Sequence, residues 1–498
     1  MSPDLLLINP GGAEAIYQNL DTEFTAIEPP LWCRLIADYC RKRGHSVEII
    51  DAAALGLTPS QVAERVQVIG PRLVAVAAYG HQPSASTQSM TAAGAICRAI
   101  KMGNARTFTM LLGGHVAALP ERTLAEESVD FVCTGEGPMT IERLLSSADS
   151  KDAPGLLSWT ARTRPAPLLD VNDMNGDAWD LLPMERYRAH NWQCFDDLSK
   201  RQPYASIYTS LGCPYKCSFC CINAPFGTNR YRMRNPEKVV DEVRMLGEVY
   251  GVRTIKIIDE MFVLNQAHVN EIVEGLAGLP FSEELNIWAY ARIDTVKAYQ
   301  LPQMRRAGIR WLALGIESGS AHVRDGANKS FSEDDIREVV RSIQAAGINV
   351  IGNYIFGLPD DDLDSMKRTL ALAKDLNCEM ANFYAAMAYP GSALYAEAVK
   401  TGAGLPKAWS GYSQHSRDTL PLATATLSSA DVLRFRDEAF HDYFNDEAYL
   451  SMIDTKFGGE TRRHIQRMAG QRLGRDMLLS GLDHLEGETV EVYADGVA

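Results

Sequence analysis

Four of the chain's ten cysteines lie within nine positions, in the stretch LGCPYKCSFCC at residues 211–221, here called the cysteine loop. Cys213, Cys217 and Cys220 have a C-x3-C-x2-C spacing, and three thiolates on one short loop can bind three irons of a 4Fe-4S cluster. The fourth iron would then be open to a substrate or cofactor. Cys221 follows a ligand directly, and because adjacent side chains in extended backbone point apart, we predict that it packs in the core.

A zinc ion is the alternative occupant of this loop. Structural zinc usually takes four ligands, and His190 and Cys194 are the nearest candidates outside the cysteine loop. Paired C-x2-C elements are the commoner zinc signature, so the single group favours iron. The remaining cysteines occupy apolar or helical contexts, where free Cys behaves as a small buried hydrophobe. They are Cys33, Cys40, Cys97, Cys133, Cys194 and Cys378.

Polar residues follow several of the apolar runs that come after the cysteine loop. Charged pairs such as Asp259 with Glu260, or Arg292 with Asp294, could be helix caps or structural ion pairs when each is considered alone. Their repeated position after apolar runs instead favours one shared site. The candidates are Asp259 and Glu260 in IIDEMF, Arg292 in WAYARID, Glu317 and Ser318 in GIESGS, and Asn353 in IGNYIFGLP.

The elements that would position these residues alternate as strands and helices. Helical segments such as NPEKVVDEVRMLGEVYG separate the strands, which predicts a partial (β/α)6 barrel with its site at the strand C-termini. The strands are YASIYTSLGC, TIKIIDEMF, LNIWAYARID, WLALGIESG, INVIGNYIFGLP and MANFYAAMAYPG. We expect Tyr290, Tyr384, Met387 and Tyr389 on or near the wall of the substrate pocket.

An earlier series has the same alternation and predicts a doubly wound, Rossmann-like parallel sheet. Its helices include TPSQVAERV, which Thr58 caps and Pro59 begins. In such a sheet the ligand crevice lies at the carboxyl ends of the strands. The strands are DLLLINP, SVEIIDA, RLVAVAAYG, TFTMLLGG and VDFVCTGEG.

The pattern divides the chain into four regions. Residues 1–145 form the first α/β domain, and residues 146–203 form a linker rich in Pro, Asp and Ser, whose aromatic end packs between the domains. Residues 204–405 form the barrel. Residues 406–498 form a small helical C-terminal domain that ends in the acidic tail EGETVEVYADG.

Composition limits the environment and the partners. A chain of 498 residues with 46% hydrophobic composition can bury a large core. Its net charge of -14 argues against nucleic-acid binding, which depends on clustered Lys and Arg. We find no signal peptide and no apolar window long enough to cross a membrane, so we expect a cytoplasmic protein that does not bind membranes.

The cysteine spacing after the first strand of a six-unit βα barrel resembles that of the radical S-adenosylmethionine (SAM) enzymes. The resemblance covers residues 204 to about 395. It implies that Asp259 and Glu260 lie where this family holds the SAM amino group, although a Gly-Gly-Glu form is absent. It also implies that Arg292 reaches the SAM carboxylate.

The same resemblance assigns the remaining SAM contacts. Glu317 and Ser318 match the family's ribose and carboxylate contacts, and Asn353 occupies the strand-five position that flanks adenine and methionine. Phe219, between the last two ligand cysteines, would pack near the adenine. The implied chemistry is one-electron cleavage of SAM to a 5'-deoxyadenosyl radical.

The first domain resembles the cobalamin-binding domain of the B12-dependent radical SAM enzymes. Gly113, Gly114 and His115 in LLGGHVAALPE follow strand four, and Gly135 and Glu136 in CTGEGP follow strand five. Glycines at these places let the backbone approach a bulky ligand. The alternative is a structural sheet that binds no corrin.

Two loops of this domain bear on the ligand below cobalt. The family's Asp-x-His-x-x-Gly loop is absent, because the loop after strand one reads INPGGAEAIYQ, so any cobalamin should lack that histidine ligand. The loop after strand three, AAYGHQPSAS, would face the lower side of the corrin with Tyr79, His81 and Ser84. His81 is either a cobalt ligand or a loop histidine hydrogen-bonded to backbone.

Together the resemblances imply a fold and a reaction. The fold is α/β, with a Rossmann-like cobalamin-binding domain, a partial (β/α)6 radical SAM barrel and a helical C-terminal domain. The reaction is methylation of an unactivated carbon of a small metabolite, through a 5'-deoxyadenosyl radical and methylcobalamin. A flavodoxin or ferredoxin type reductant would supply electrons, and the overall likeness to members encoded with surface-polysaccharide genes suggests a sugar-like substrate.

Two other functions stay open. The first is a radical reaction without methyl transfer, such as dehydration, epimerisation, ring contraction or cyclisation. The second is a cobalamin or iron–sulfur sensor without turnover, which the complete set of predicted SAM contacts disfavours.

Overall fold

Fully buried runs of Leu, Val, Ile and Ala build the first parallel sheet, as expected for strands covered by helices on both faces. The structure, a computed structural model, describes residues 2–20, 23–147 and 149–479. The strand order is β2-β1-β3-β4-β5-β6, and every pairing is parallel except that of β6 with β5. The strands are β1 (Leu5–Asn9), β2 (Val47–Asp51), β3 (Leu73–Ala77), β4 (Thr109–Leu112), β5 (Phe131–Cys133) and β6 (Leu156–Leu157).

Helices connect these strands as predicted. Thr58 accepts a hydrogen bond from the Gln61 backbone N–H and forms a capping box, and Pro59 occupies the first turn. The helices are α1 (Ala13–Tyr17), α2 (Leu31–Arg41), α3 (Ala52–Leu55), α4 (Pro59–Ile69), α5 (Ala85–Gly103), α6 (Gly114–Ala118), α7 (Pro120–Glu126) and α8 (Pro138–Ser146).

The segment predicted as a linker is more structured than its composition indicates. Its strand β6 extends the first sheet, which the sequence pattern did not predict. Its aromatic end is buried, with Trp179 and Phe195 in the large core that also contains the barrel strands. This packing agrees with the expectation that the aromatic end lies between the domains.

The second sheet is the predicted partial barrel. Its strands follow the order β14-β13-β12-β11-β10-β7 and are all parallel. A short antiparallel pair, β8 with β9, brackets the cysteine loop. The strands are β7 (Tyr204–Ile207), β8 (Ser210–Leu211), β9 (Arg232–Met233), β10 (Thr254–Ile257), β11 (Asn286–Ala291), β12 (Ile309–Glu317), β13 (Asn349–Phe356) and β14 (Met380–Ala385).

Amphipathic helices cover the barrel strands. Asn235, Ser332 and Asp362 each accept a hydrogen bond from a backbone N–H of the first turn and so define where three of these helices begin. The helices are α9 (Pro236–Val249), α10 (Gln266–Ala277), α11 (Leu301–Arg306), α12 (Ala321–Gly326), α13 (Glu333–Ala345), α14 (Leu363–Leu376) and α15 (Ala393–Thr401).

The C-terminal region is helical as predicted, with α16 (Ser429–Phe444), α17 (Glu447–Phe457), α18 (Gly459–Ala469) and α19 (Asp476–Leu479). Tyr443 and Phe444 are buried in the same core as the barrel, and the Tyr443 hydroxyl donates to the Cys378 carbonyl over 2.7 Å. These helices therefore share the barrel's core. The predicted acidic tail lies outside the described residues.

A buried ion network joins the first domain to the barrel. Glu242 on α9 accepts from Arg34 of α2 over 3.0 Å and from Arg234 over 2.5 Å. The Trp179 indole N–H donates to the same carboxylate over 3.0 Å, and Arg34 also donates to the Ser206 carbonyl of β7.

Among the described helices, none is both long and apolar enough to span a membrane.

Candidate functional site

The cysteine loop has a fixed backbone path where it leaves β8. Gly212 has φ of +83°, and a Cβ there would lie 2.2 Å from the Arg230 carbonyl oxygen, so only glycine fits. The Asn223 side chain accepts from the Cys213 N–H over 3.3 Å and donates to the Cys213 carbonyl over 2.9 Å. The Cys220 N–H donates to the Cys217 carbonyl and closes the turn between the last two predicted ligands.

The four thiols of the loop differ in exposure. Cys213 and Cys221 are buried, Cys217 is half-buried and Cys220 is exposed. Burial raises the pKa of the Cys213 thiol to about 11, so cluster binding must displace its proton. The burial of Cys221 agrees with its predicted packing role.

A single metal ion in the cysteine loop would need several ligands close together. Within residues 2–20, 23–147 and 149–479, no three His, Cys, Asp or Glu side chains are gathered closely enough for one ion. His190 contacts Glu28, and the Cys194 thiol donates to the Lys200 carbonyl. In a 4Fe-4S cluster each cysteine binds its own iron, which allows the thiols to lie further apart.

Asp259 follows β10 but points back to the chain that enters the cysteine loop. It is 1% exposed and accepts from the Thr209 N–H and from the Ser210 hydroxyl, each over 2.6 Å. The Thr209 hydroxyl donates to it as well. With its oxygens engaged in this way, Asp259 fixes the start of the loop.

Glu260, the next residue, has a carboxylate oxygen that no protein group binds. Its Oε2 atom is buried and has no hydrogen-bond partner. Burial raises the Glu260 pKa to about 8, and the neighbouring Asp259 charge adds to that effect. Since a buried acceptor without a partner is costly, this oxygen fits the ammonium group of a bound amino acid moiety.

Arg292 at the end of β11 lies beside the predicted cluster. Its Nη1 atom is 3.9 Å from the Cys217 sulfur, and its guanidinium lies 3.8 Å from the centre of the Tyr215 ring. Asp294 pairs with it over 3.0 Å. Burial favours a lower Arg292 pKa, but Asp294 outweighs that effect and raises it. Arg292 is thus a fixed cation next to Cys217.

Glu317 and Ser318 end β12 in a strained turn. Glu317 has φ of +65°, is buried, and pairs with the Lys329 ammonium. Ser318 is fully buried and shares a 3.1 Å hydrogen bond with the Thr369 hydroxyl. Sequence reasoning missed Lys329, because it follows a short helix in the stretch GANKS with no local signal.

An apolar patch lies next to these polar groups. Phe219 packs with Tyr384 against a small cluster separate from the main core, comprising Val323, Ala327, Ile355, Leu358 and Ala386. Asn353 donates to the Leu314 carbonyl over 3.1 Å and accepts from Asn382 over 3.0 Å. The patch offers the apolar surface on which an adenine ring could pack beside Phe219.

A large cavity of about 1270 Å³ opens between the first domain, the barrel and the C-terminal helices. Residues 9–13, at the end of β1 and directly after it, and residues 80–82 and 84 after β3 line this cavity. In a sheet of order 2-1-3-4-5 the switch point lies between β1 and β3, where such folds bind their ligands. Its volume exceeds the roughly 300–1,000 Å³ of ordinary small-molecule pockets, so it fits a ligand as large as a corrin.

The residues predicted to bind cobalamin divide into two groups. His81 and Ser84 line the large cavity. Tyr79 does not line it, and instead stacks on Trp32 and donates to the Glu136 carbonyl over 2.8 Å.

The loops after β4 and β5 also lie outside the lining of this cavity. Gly113 has φ of +147°, and a Cβ there would be 2.2 Å from the Ala78 carbonyl, while Gly114 lies beside Ser86. His115 is buried, has its pKa lowered to about 3 by burial, and contacts the Trp409 ring edge-on.

Gly135 and Glu136 line a separate cavity of about 80 Å³. Glu136 pairs with Arg232 of β9 and accepts from the Leu169 N–H over 3.3 Å. This carboxylate therefore joins the first domain to the barrel.

Sequence reasoning missed the charged group on the wall of the large cavity. Glu28 and Lys256 line it beside His190, which the sequence had suggested only as a zinc ligand. Three of the four tyrosine and methionine positions expected near the substrate pocket, Tyr290, Tyr384 and Tyr389, line it as well. Nothing local marks Glu28, which lies 228 residues from the lysine that it contacts.

The two cofactor regions meet at one wall. Tyr290 of β11 lines the large cavity and lies two residues before Arg292 in the chain. Tyr384 lines the cavity and packs against the same small apolar cluster as Phe219. A switch-point cavity beside a partial barrel with three closely spaced cysteines suits an α/β enzyme with two adjacent cofactor sites.

Comparisons with known proteins agree with this class. The family model for the B12 binding domain matches residues 20–145, and the model for the radical SAM superfamily matches residues 207–373. The chain therefore combines an N-terminal B12-binding domain with a radical SAM domain. These matches confirm the predicted fold class and the predicted cofactors, namely cobalamin, a 4Fe-4S cluster and SAM, and they disfavour a sensor without turnover.

Three individual proteins illustrate the similarity. An uncharacterized methyltransferase of Pyrococcus horikoshii is 28% identical over 424 residues, covering 82% of this chain and 86% of that protein. The anaerobic magnesium-protoporphyrin IX monomethyl ester cyclase of Rubrivivax gelatinosus is 25% identical over 400 residues, covering 76% and 68%. The methyltransferase TsrM of Kitasatospora setae, solved with cobalamin and a 4Fe-4S cluster, shares the fold with a TM-score of 0.66 at 16% identity, covering 95% and 100%.

Proposed function

We propose that this protein is a cobalamin-dependent radical SAM methyltransferase that methylates an unactivated carbon of a small metabolite. The observation that carries the proposal is the large cavity at the switch point of the first sheet, whose wall includes Tyr290 of barrel strand β11, two residues before Arg292. When bound, the cofactors supply a 5'-deoxyadenosyl radical and a transferable methyl group. The similarity to a methyltransferase over most of both chains supports the same reaction.

The protein's own residues would hold and orient these groups. Cys213, Cys217 and Cys220 would bind three irons of the cluster, and Glu260 would accept from the SAM ammonium. Arg292 would neutralise charge beside Cys217, and a SAM carboxylate is an anion that it could hold.

The remaining predicted SAM contacts would act on the adenosine moiety or support it. Phe219 would pack against the adenine, and Glu317, held by Lys329, would meet the ribose. Ser318 and Asn353 would support these groups, because their side chains bond to Thr369 and Asn382. Asp259 would act through the cysteine loop.

The first domain would hold cobalamin in the large cavity. His81 and Ser84 are the predicted contacts that line it. Burial lowers the His81 pKa, so the imidazole is neutral at pH 7 and has a nitrogen lone pair available. The other residues predicted to contact cobalamin would act by shaping the loops of this domain. They are Tyr79, Gly113, Gly114, His115, Gly135 and Glu136.

The cavity wall suits an uncharged substrate with hydroxyl groups, which is consistent with a sugar-like molecule. Tyr290, Tyr384 and Tyr389 place aromatic rings and hydroxyls on the wall. The buried charges there are already paired, since Lys256 binds Glu28 and Arg436 binds Asp437. Hydroxyl groups could therefore bond without leaving an unpaired charge. A flavodoxin or ferredoxin type protein in the cytoplasm would supply the electrons that the proposed reaction needs.

The first test uses protein purified without oxygen from cells supplied with iron and cobalamin. Cobalt and iron are quantified beside an optical spectrum, and the protein is then incubated with SAM, reductant and candidate neutral sugars. We expect corrin in stoichiometric amount, S-adenosylhomocysteine together with 5'-deoxyadenosine, and a product heavier by one methyl group. Bound corrin with 5'-deoxyadenosine but no S-adenosylhomocysteine would contradict methyl transfer.

A radical reaction without methyl transfer is the second candidate. The similarity to a monomethyl ester cyclase over 76% of this chain favours it specifically. Its signature is 5'-deoxyadenosine and a product whose mass shows no added methyl group.

A further inference from the structure

Residues 23–30, here called the inserted segment, leave the first domain and lie against the barrel sheet. The Ser206 hydroxyl of β7 donates to the Pro29 carbonyl over 3.3 Å, and Ile27 forms a bridge with Arg188. Arg201 donates to the Glu23 and Thr25 carbonyls. The segment is thus bound along its length to the barrel and linker.

Glu28 of the inserted segment forms a buried ion pair with Lys256 of β10. The Lys256 ammonium lies 2.8 Å from Glu28 Oε2 and 3.0 Å from Oε1, and Lys256 is only 1% exposed. Burial alone would raise the Glu28 pKa, but the nearby charge, chiefly that of Lys256, outweighs burial and lowers the pKa, so the pair is ionised at neutral pH. A buried pair of this kind costs desolvation energy that apolar residues would avoid, which favours a role in fixing geometry.

The third hydrogen bond of the ammonium crosses to the first domain. Lys256 donates to the His81 carbonyl over 3.1 Å, and His81 belongs to the loop after β3 that lines the large cavity. An ammonium has three donors, and Lys256 uses them on two carboxylate oxygens and this carbonyl. The loop after β3 is therefore held by the barrel itself.

Strand β10 also reaches the SAM region. Asp259 and Glu260 follow Lys256 by three and four residues, and Asp259 holds the entrance of the cysteine loop. Glu260 has the unpartnered carboxylate oxygen that fits the SAM ammonium. One short stretch of chain thus contacts both cofactor regions.

We propose that Lys256 is a positioning residue that sets the distance between the two cofactor sites, by tying the loop after β3 to strand β10. This inference rests on the proposed function, because it matters only if corrin and SAM bind on the two sides. It assigns Lys256 no contact with a reacting atom. A displacement of about 1 Å in such an arrangement can reduce a rate about a hundredfold.

The test compares full-length Lys256→Met and Lys256→Arg with the wild type and with Lys456→Met as a matched control. Lys456 also pairs with a buried carboxylate, Glu379, but does not line the cavity. The first readout is the dissociation constant for hydroxocobalamin, measured by absorbance. The second is the ratio of S-adenosylhomocysteine to 5'-deoxyadenosine formed from SAM with a strong reductant.

We expect Lys256→Met to bind hydroxocobalamin about tenfold more weakly, as the loss of a charged hydrogen bond predicts. At saturating cobalamin we expect the ratio of S-adenosylhomocysteine to 5'-deoxyadenosine in Lys256→Met to fall by up to about a hundredfold. Only methyl transfer needs the two cofactor sites at a fixed distance. Lys256→Arg should recover part of both values, since it retains the charge but places its donors differently. Lys456→Met should match the wild type.

The outcomes separate the inference from the function on which it rests. A Lys256→Met protein with wild-type cobalamin affinity and product ratio would overturn the inference and leave the proposed function intact. A wild type that binds no corrin would overturn both. If Lys256→Met does not fold, Glu28→Gln replaces it, because this change removes the countercharge and retains the ammonium. Wild-type cobalamin affinity and product ratio in both Glu28→Gln and Lys256→Arg would then overturn the inference.

Discussion

Asp259 and Glu260 are adjacent acidic residues with different surroundings. The oxygens of Asp259 accept from Thr209 and Ser210, so its charge is already satisfied within the protein. Glu260 has a buried oxygen without a partner and a raised pKa, which is the state expected of a group that awaits a cation. The two residues should therefore respond differently to neutralisation.

We predict that Glu260→Gln weakens SAM binding about tenfold or more, because the amide loses a charged hydrogen bond to the SAM ammonium. Equilibrium dialysis with labelled SAM measures the dissociation constant. Glu271→Gln, an exposed change on α10, serves as the control. Unchanged SAM affinity in Glu260→Gln would remove Glu260 from the SAM site.

We predict that changing any one of Cys213, Cys217 or Cys220 to Ala removes the cluster, because each is expected to bind a separate iron. Iron and sulfide analysis after anaerobic reconstitution checks this, with about four irons expected in the wild type. Cys221→Ala is the matched control from the same loop and should retain its iron. Loss of iron in Cys221→Ala would make that residue a ligand.

At the level of elements, the cysteine loop depends on contacts from outside itself. Asn223 braces the Cys213 backbone, Gly212 allows close approach to Arg230, and Asp259 from β10 holds the entrance. A long loop that carries cofactor ligands loses conformational entropy when it is ordered in advance. These contacts supply that order before a cluster binds.

We predict that Asp259→Asn destabilises the protein by about 1–3 kcal/mol, because the amide nitrogen would face the Thr209 and Ser210 donors and leave one unsatisfied. Thermal melting and hydrogen exchange over residues 209–221 measure the effect. Glu260→Gln is the comparison, since the Oε2 atom of Glu260 has no hydrogen-bond partner in the protein. Equal melting temperatures for the two variants would contradict the assigned difference in roles.

At the level of the whole molecule, ion pairs between the domains fix the cavity between them. Glu242 pairs with Arg34 and Arg234, and Glu136 pairs with Arg232. All five side chains are at most 9% exposed. The two domains are therefore held in a defined relation, which two adjacent cofactor sites require.

We predict that Glu242→Gln lowers the stability by about 3–5 kcal/mol, because two buried guanidinium groups lose their countercharge. The midpoint of chemical denaturation measures the loss at neutral pH. Glu126→Gln, which breaks an exposed pair with Arg122, should change the stability by less than about 1 kcal/mol. Similar effects for both variants would contradict a buried network.

The ion pairs of Glu242 also predict that the stability of the protein depends on pH. Burial opposes ionisation of Glu242, but Arg234 and Arg34 outweigh it and lower its pKa below the usual value of about 4.5. A lowered carboxylate pKa stabilises the folded state above the unfolded pKa, and this contribution is lost as the pH falls through the folded pKa. The difference in stability between wild type and Glu242→Gln should therefore shrink below pH 4.5. A constant difference down to acidic pH would contradict the assignment.

The sequence by itself determined the order of elements and the position of the chemistry along them. Alternating apolar runs and capped helices predicted both parallel sheets, because hydrophobic periodicity and caps such as Thr58 are local properties. The cysteine spacing and the polar residues after β10, β11 and β12 were visible for the same reason. The strand β6 was missed, since two residues carry too little pattern.

Only the tertiary structure decided which of those residues face a ligand and which hold the protein together. Asp259 and Glu136 were both candidates for binding, yet one accepts from Thr209 and the other pairs with Arg232. Lys256 meets Glu28 across 228 residues of chain. Such contacts depend on how two separate sheets pack, and packing between distant segments leaves no periodic signal in a single sequence.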